Sequence, residues 1–376
     1  MIAGYYIHIP FCDAICSYCD FPKVLSHVVN RKLYLEGLKK EHIISAQNHD
    51  LSGLKTIYFG GGTPSALKIA ELEFLLSTFE PIIKQAKEIT FEANPESLGK
   101  DKIKLLAQYG VNRVSMGVQT TNSAQLAFLG RRHSMADVML AIENLRAEGI
   151  ANINLDLIYA LPKQTLAEFK KDIDFILALK PTHLSAYALI IEEHTSLYLD
   201  VEANYVVEVS EEVQSEMYLY LQKKMVDHGY IQYEISNWAK SQKFRSQHNN
   251  SYWIGSEYLG IGLGSHAYYN NRRYSNTRSI TKYMQNAKDE KTQIIESLEI
   301  TRDAAMEEML FLGLRLISGV EMAAFFERFG VIMEDVFGTV ITKHLLKGNL
   351  EQTATHLKLT QKAIFISNEV LSDFLL

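Results

Sequence analysis

The sequence predicts an α/β fold: an incomplete parallel (β/α)6-type barrel followed by a small, mostly helical, winged-helix-like C-terminal domain. Three observations predict it. Six short β-rich runs alternate with helical patterns through the first half of the chain, the rhythm of strand–helix units with parallel strands. All three cysteines directly follow the first of these runs, at the strand end where such barrels place their chemistry. From about Asn204 the rhythm changes, and a separate helical segment begins near Thr301. The division expected is a barrel core over 1–203, a barrel-associated extension over 204–294 and the C-terminal domain over 295–376.

Taken in order, strands are expected near Tyr5–Ile9, Thr56–Phe59, Ile89–Glu92, Arg113–Gly117, Asn154–Ile158 and His183–Leu189. Between the last two, Leu166, Phe169, Ile173, Ile176 and Leu177 fall on one helical face. Thr165-Leu-Ala-Glu168 opens that helix as a capping box, in which each end satisfies the other's free amide. A long helix is predicted over Glu211–Asp227, then an aromatic, glycine-punctuated stretch from Tyr230 to Tyr274, then a polar connection over Asn276–Gln293 with a helical piece. The last domain opens with the helical run Ala304–Leu314. It closes with Leu357-Lys-Leu-Thr360 and Ala363-Ile-Phe-Ile-Ser367, which read as a terminal hairpin.

The chain has 376 residues, enough for a large core and a second domain. Hydrophobic content of 47% and charged content of 22% are those of a soluble globular protein. A net charge of −6 argues against nucleic acid as a partner. Pairing two of three close cysteines strands the third, so a reducing compartment is expected rather than a secreted disulfide framework. The N-terminus lacks the pattern of a signal peptide, and no run reaches the roughly 18 apolar residues of a membrane span. A cytoplasmic protein is expected, with peripheral membrane contact left open.

Cys12-Asp-Ala-Ile-Cys16-Ser-Tyr-Cys19 gathers every cysteine within eight residues. Three thiolates without a fourth cannot complete a four-thiolate zinc or iron–sulfur site. They can hold three irons of a [4Fe–4S] cube and leave the fourth open. Buried, unligated cysteines are the bland alternative, and the clustering of so scarce a residue argues against it. The Cys-x3-Cys-x2-Cys pattern resembles the signature of the radical S-adenosylmethionine (SAM) superfamily. That resemblance implies a radical SAM barrel, SAM chelated at the open iron, and Tyr18 packed near its adenine.

Further candidates fall at the ends of successive strands. Gly60-Gly61-Gly62-Thr63-Pro64 follows the second; glycines let a ligand approach the backbone, although a glycine run alone is more often a turn. The resemblance assigns such glycines, here Gly61 and Gly62 with Thr63 beside them, to the SAM amino group. Glu92, Gln119, Arg131 and Asp156 come next. Asp156 lies between apolar residues, where an unpaired carboxylate is costly. It either pairs with a barrel-interior arginine or accepts from a ribose hydroxyl, and the second is favoured. Arg131 can grip a carboxylate with its fork, as lysine cannot.

Tyr6-Ile-His-Ile-Pro-Phe-Cys12, Gly60-Gly-Gly-Thr-Pro64, Glu92-Ala-Asn-Pro95, Gly117-Val-Gln119 and Asp156-Leu-Ile-Tyr-Ala-Leu-Pro162 resemble the oxygen-independent coproporphyrinogen III oxidases and their relatives, over nearly the whole chain. By position, Tyr6, Glu92, Gln119, Arg131 and Asp156 resemble that family's SAM contacts. Ala160 stands where relatives usually carry glycine.

Two departures from the true oxidase are expected to matter. It has an N-terminal extension where only eleven residues precede Cys12 here, and a further cysteine where this chain has Phe21. His248-Asn-Asn-Ser-Tyr-Trp253 looks like the His-Asn-x-x-Tyr-Trp motif of the heme chaperones in this family, the HemW type, with Tyr233–Asn237 before it and Gly260–Gly264 after it also typical. Imidazole ligates heme iron and aromatic rings cover the macrocycle. Equally, His248 hydrogen-bonds inside an aromatic cluster and Tyr252 and Trp253 are core. His266 is a second candidate, and His8 packs at the cluster site.

The expected function is a heme chaperone. It binds heme, a [4Fe–4S] cluster and SAM, and delivers heme to acceptor proteins such as respiratory enzymes. It acts as monomer or homodimer, and the balance leans away from an enzyme. The alternative is a radical SAM enzyme of the oxygen-independent coproporphyrinogen oxidase type.

Overall fold

The computed structural model describes residues 1–375. The six expected barrel strands are present: β1 Gly4–Ile9, β2 Thr56–Gly61, β3 Glu88–Ala93, β4 Arg113–Gln119, β5 Asn152–Tyr159 and β6 His183–Ala188. They lie side by side in that order, each parallel to the next. Register follows from burial. Tyr5, Ile7 and Ile9 of β1 and Ile57 and Phe59 of β2 are fully buried against the surrounding helices. Gly4, Tyr6 and His8 alternate with them and face the barrel interior beside Thr56, Tyr58 and Gly60.

Helices cover the outer face. In Leu166–Ala178, Thr165 accepts from the Glu168 N–H at 3.3 Å and Glu168 accepts from the Thr165 N–H at 2.8 Å, the expected box. Phe169, Ile173, Ile176 and Leu177 are buried and Leu166 is half-buried. Each full burial contributes about 1.5–3 kcal/mol. The long helix occupies Glu211–Asp227.

The sheet is larger than the sequence suggests. The segment after Asn204 supplies β7 Ile231–Glu234, β8 Asn237–Ala239, β9 Tyr258–Ile261, β10 His266–Tyr269, β11 Arg272–Asn276 and, running past it, β12 Ile294–Glu299. The order is β12-β11-β10-β9-β1-β2-β3-β4-β5-β6-β8-β7. β9 is a seventh parallel strand, paired with β1 from Gly4↔Tyr258 to Ile7↔Ile261. These strands escape a pattern search because they are 3 to 6 residues long and β12 is exposed on both faces. The polar connection Asn276–Gln293 holds the helix Ile280–Lys288.

In the C-terminal domain Thr301 caps the helix Arg302–Gly313. The helices Met322–Phe329 and Met333–Leu346 follow, with a three-stranded wing of β13 Val320–Glu321, β14 Leu350–Gln352 and β15 His356–Leu359, ordered β13-β15-β14. The expected hairpin is corrected here: β15 pairs with β14 and β13, not with the run from Ala363. That run is a turn of 3-10 helix leading to the helix Ser367–Ser372. Its buried positions, Ala363, Ile364, Ser367, Val370 and Leu371, recur at helical spacing, which four apolar residues alone could not reveal.

Candidate cofactor site

β1 delivers the chain to the cysteines. Immediately after it, Phe11–Cys12 pairs with Val24–Leu25, so both ends of the cysteine segment are tied together. Its middle is pinned where the Ser17 N–H donates to the Leu129 carbonyl at 3.2 Å and the Ser17 carbonyl accepts from Leu197 at 3.0 Å. Gly130 sits beneath it at φ +75°; a Cβ there would come within 3.2 Å of the Ile15 carbonyl. Cys12 is buried, Cys16 and Cys19 are half-buried, and all three are free thiols. Burial pushes the Cys12 thiol up to about 11 and raises that of Cys19, so neither ionises at neutral pH without a cation to take up its charge.

The glycine turn packs directly on this segment. Gly61 adopts φ +118° and donates its N–H to Glu92 at 3.0 Å; a Cβ at Gly62 would fall 2.7 Å from the Pro10 carbonyl and 2.9 Å from the Cys12 sulfur. Thr63 is buried with its hydroxyl 3.6 Å from the same sulfur, and Asn94 donates to that hydroxyl at 3.4 Å. Asn94 in turn accepts from Arg131 at 2.8 Å, while Arg131 also donates to the Gly117 carbonyl at 2.5 Å and reaches Cys16 at 3.9 Å. Among the described residues the buried Arg131 Nε has no partner. Gln119, at φ 67° where β4 ends, lies over Gly117 with Arg131.

Two carboxylates face the same strand ends. Glu92 accepts from the Tyr58 hydroxyl at 2.6 Å, and burial pushes its carboxyl up to about 7. Asp156 accepts from Ser115 at 3.1 Å and Asn154 at 2.8 Å, and burial raises it too. Among the described residues neither forms an ion pair with a lysine or arginine; buried Arg113 acts on both only from a distance. Asp156 is therefore held by neutral donors and not by the interior arginine that was one of its two expected partners. Tyr6 donates to or accepts from His8 at 3.1 Å and stacks on Tyr58 at 5.9 Å. Tyr18 packs against Leu129, Ile158 and Leu161. Ala160 holds φ 59°, the left-handed conformation in which a glycine would be unstrained.

These groups fit the cofactors that the cysteine pattern implies. Buried carboxylates without a cation ask for a positively charged, hydroxyl-bearing ligand, and an arginine with a spare N–H asks for a carboxylate. SAM carries all of these. Cys12, Cys16 and Cys19 would hold the cluster. Among the described residues no three metal-ligating side chains are already gathered, and the cavity between Cys16, Thr63 and Arg131 is about 20 Å³. Holding an iron–sulfur cube would draw the three thiols together, coupling the order of the segment to metal binding.

His248 lies elsewhere. It comes from the short helix Gln247–Trp253 and packs against Gly4 and Thr56, the first residues of β1 and β2. The cysteines follow the other end of β1, roughly 16 Å away by strand rise. Both ring nitrogens are taken, Nδ1 by the Thr56 hydroxyl and Nε2 by the Tyr252 hydroxyl, each at 2.8 Å. The ring stacks on Tyr58 at 4.9 Å, and burial lowers its pKa to about 3. His248 is thus a neutral ring at the foot of the barrel, hydrogen-bonded inside an aromatic cluster as the second of its two expected readings has it. Trp253 lies under Arg315, 4.5 Å from its ring centroid. His266 is exposed, and His8 hydrogen-bonds the Pro22 carbonyl at 2.7 Å, holding the chain that leaves the cysteines. Sequence reasoning missed Tyr58, Asn94, Ser115 and Asn154; the signal available for the first was its inward register beside Thr56.

Comparison with known proteins agrees with this geometry. Residues 6–176 match the radical SAM superfamily, and residues 300–366 match the HemN C-terminal domain. The chain is 38% identical to the heme chaperone HemW of Lactococcus lactis over 99% of its length and 97% of that protein's. It is 36% identical to the heme chaperone HemW of Bacillus subtilis, covering 98% of each. The structure of the radical SAM enzyme coproporphyrinogen III oxidase (HemN) from Escherichia coli superposes with a TM-score of 0.86, covering 100% of this chain and 90% of that one at 19% identity, a likeness of fold. A chain this similar along its length to two HemW proteins, with free cysteines at the mouth of a parallel barrel, belongs to the HemW family within the radical SAM superfamily.

Proposed function

We propose that this protein is a heme chaperone: it binds heme, a [4Fe–4S] cluster and SAM, and delivers heme to acceptor proteins such as respiratory enzymes in the cytoplasm or at a membrane surface. The observation that carries the cofactor reading is the charge pattern around the cysteine segment. Glu92 and Asp156 are buried without a cation, and Arg131 keeps an unpartnered Nε beside Cys16. When bound, the cluster and SAM would supply one-electron chemistry and an open-iron chelation point. The chain's own residues orient the ligand: Glu92 and the Gly61–Thr63 turn toward its ammonium, Arg131 toward its carboxylate, Asp156 toward its ribose and Tyr18 toward its adenine. Gln119 and Tyr6 complete the walls. The heme reading rests on similarity to proteins named heme chaperone HemW. No helix among the described residues is long and apolar enough to cross a membrane.

The oxidase reading has in its favour the fold it shares with HemN, the match to the HemN C-terminal domain and the motifs that resemble that family. Exposed Phe21 stands where the oxidase family has a further cysteine. One anaerobic experiment separates the two. Reconstitution with iron and sulfide should give an iron–sulfur absorbance that Cys16→Ser removes, and hemin should then bind stoichiometrically. Protoporphyrinogen formed at a catalytic rate from coproporphyrinogen, SAM and a reductant would overturn the chaperone reading.

A further inference from the structure

Between the helix Arg31–Asn48 and the added strands β9 to β12 is a cavity of about 680 Å³, within the roughly 300–1,000 Å³ of cofactor pockets. On one side are Ile43 and Ile44, each 46% exposed, and on the other is Ile294, 40% exposed. Apolar side chains bared together around a cavity mark a binding site. Tyr269 and Tyr274 form part of its wall, stacked at 4.5 Å and 13°, and the His49 ring meets Tyr269 edge-on at 4.6 Å.

His49 is the informative residue. Its Nδ1 lies 2.9 Å from the Ser45 carbonyl. A carbonyl only accepts, so Nδ1 carries the hydrogen and the neutral ring keeps its lone pair on Nε2. Among the described residues that nitrogen has no hydrogen-bond partner. An imidazole oriented by donating its other N–H to a backbone carbonyl is the arrangement of metal-ligating histidines. Lys40 and Lys291 stand at the cavity rim, joined to Glu290 at 3.4 Å and Asp289 at 3.5 Å. Such exposed pairs are weak and exchangeable, leaving two cations available to a ligand's carboxylates.

We infer that this cavity is the heme site, with His49 Nε2 as the protein ligand to iron, the tyrosine pair and isoleucines covering the macrocycle, and Lys40 and Lys291 meeting the propionates. The inference rests on the heme-binding reading above and names its site. It assigns His248 the role of barrel plug. A second cavity of about 520 Å³, lined by Trp253, Arg328 and His356, also offers an imidazole engaged through Nδ1 alone, but its partner is the Thr355 hydroxyl, which does not fix the tautomer as a carbonyl does, and its arginines are already held by Glu308 and Tyr268.

The test is anaerobic titration of hemin into the full-length protein, followed by the Soret band and the dissociation constant. Wild type, His49→Gly, His248→Phe and His356→Ala are compared. His49→Gly should weaken binding at least tenfold and move the Soret band, and exogenous imidazole should restore the wild-type spectrum by filling the space vacated. Imidazole rescue separates lost ligation from misfolding, and Ile44→Glu, remote from the iron ligand, should weaken binding with no rescue. An unchanged spectrum and affinity in His49→Gly would overturn the site while leaving the heme reading intact, as would a loss confined to His356→Ala or His248→Phe. Failure of wild type to bind hemin would overturn both.

Discussion

Burial pushes the Glu92 carboxyl up to about 7 because its partners, the Tyr58 hydroxyl and the Gly61 N–H, are neutral donors that cannot offset its charge. In the unfolded chain the same group titrates near 4.5. Between these values the folded state holds more protons than the unfolded one. Its contribution to stability is therefore fully present below about pH 4.5 and is lost as pH rises through about 7. The slope approaches about 1.4 kcal/mol per pH unit in mid-window. Urea unfolding without SAM should show wild type losing stability relative to Glu92→Gln between pH 5 and pH 7; parallel curves would disprove this. A cationic ligand at the carboxylate pulls its pKa back down. The slope should therefore flatten with saturating SAM, which tests the placement of the ammonium.

Gly130 shows how an element, and not a lone side chain, sets the cysteines. It ends the short helix Ser123–Phe128 and its left-handed φ of +75° lets the Cys16 backbone rest on it. Gly130→Val should strain the turn by about 1–3 kcal/mol and lift the cysteine segment. Iron per chain after reconstitution should then fall at least severalfold while far-ultraviolet circular dichroism stays unchanged; full iron loading would show that the seat does not matter. At this scale the legibility of the sequence divides cleanly. β1 to β6 could be read because their apolar residues pack against covering helices and each strand leads to a loop with chemistry. Glu92 and Asp156 lie on β3 and β5 as expected, whereas Arg131, expected at a strand end, follows the helix Ser123–Phe128 and reaches back to the Gly117 carbonyl of β4. β9 to β12 could not be read, since they are short and the group joins the barrel only through a partner far along the chain, Tyr258 with Gly4. For His248 two readings, iron ligand and hydrogen-bonded core, stay open in the sequence for the same reason. Its motif shows a histidine among aromatics, but only the folded chain puts Thr56, 192 residues away, on its ring. The run from Ala363 was misread because four apolar residues carry no period.

At the scale of the whole molecule the cysteine segment and the His49 cavity are joined by one stretch of chain, Gly262–Arg278. Toward the cysteines, Pro22 packs directly on Gly264, and Arg278 donates to the Asp20 carbonyl at 2.9 Å, one residue beyond Cys19. Toward the cavity, the Gly262 N–H donates to Glu41 at 3.0 Å and Asn276 donates to it at 2.6 Å, and Glu41 lines the cavity. A cluster that draws the three cysteines together would bear on Asp20 and Pro22, and through them on the strands that form the cavity wall. Couplings of this kind run to about 1–3 kcal/mol, or roughly 5–150-fold in affinity, and are reciprocal. Hemin affinity should therefore differ at least fivefold between reconstituted protein and protein stripped of iron by a chelator. Arg278→Ala, which cuts one of the two contacts, should shrink that difference without touching either site. Equal affinities in the two forms would mean that the cluster does not govern heme release through this path. A difference unchanged in Arg278→Ala would place the path through Pro22 alone, where Gly264→Ala, crowding the proline ring, should alter it.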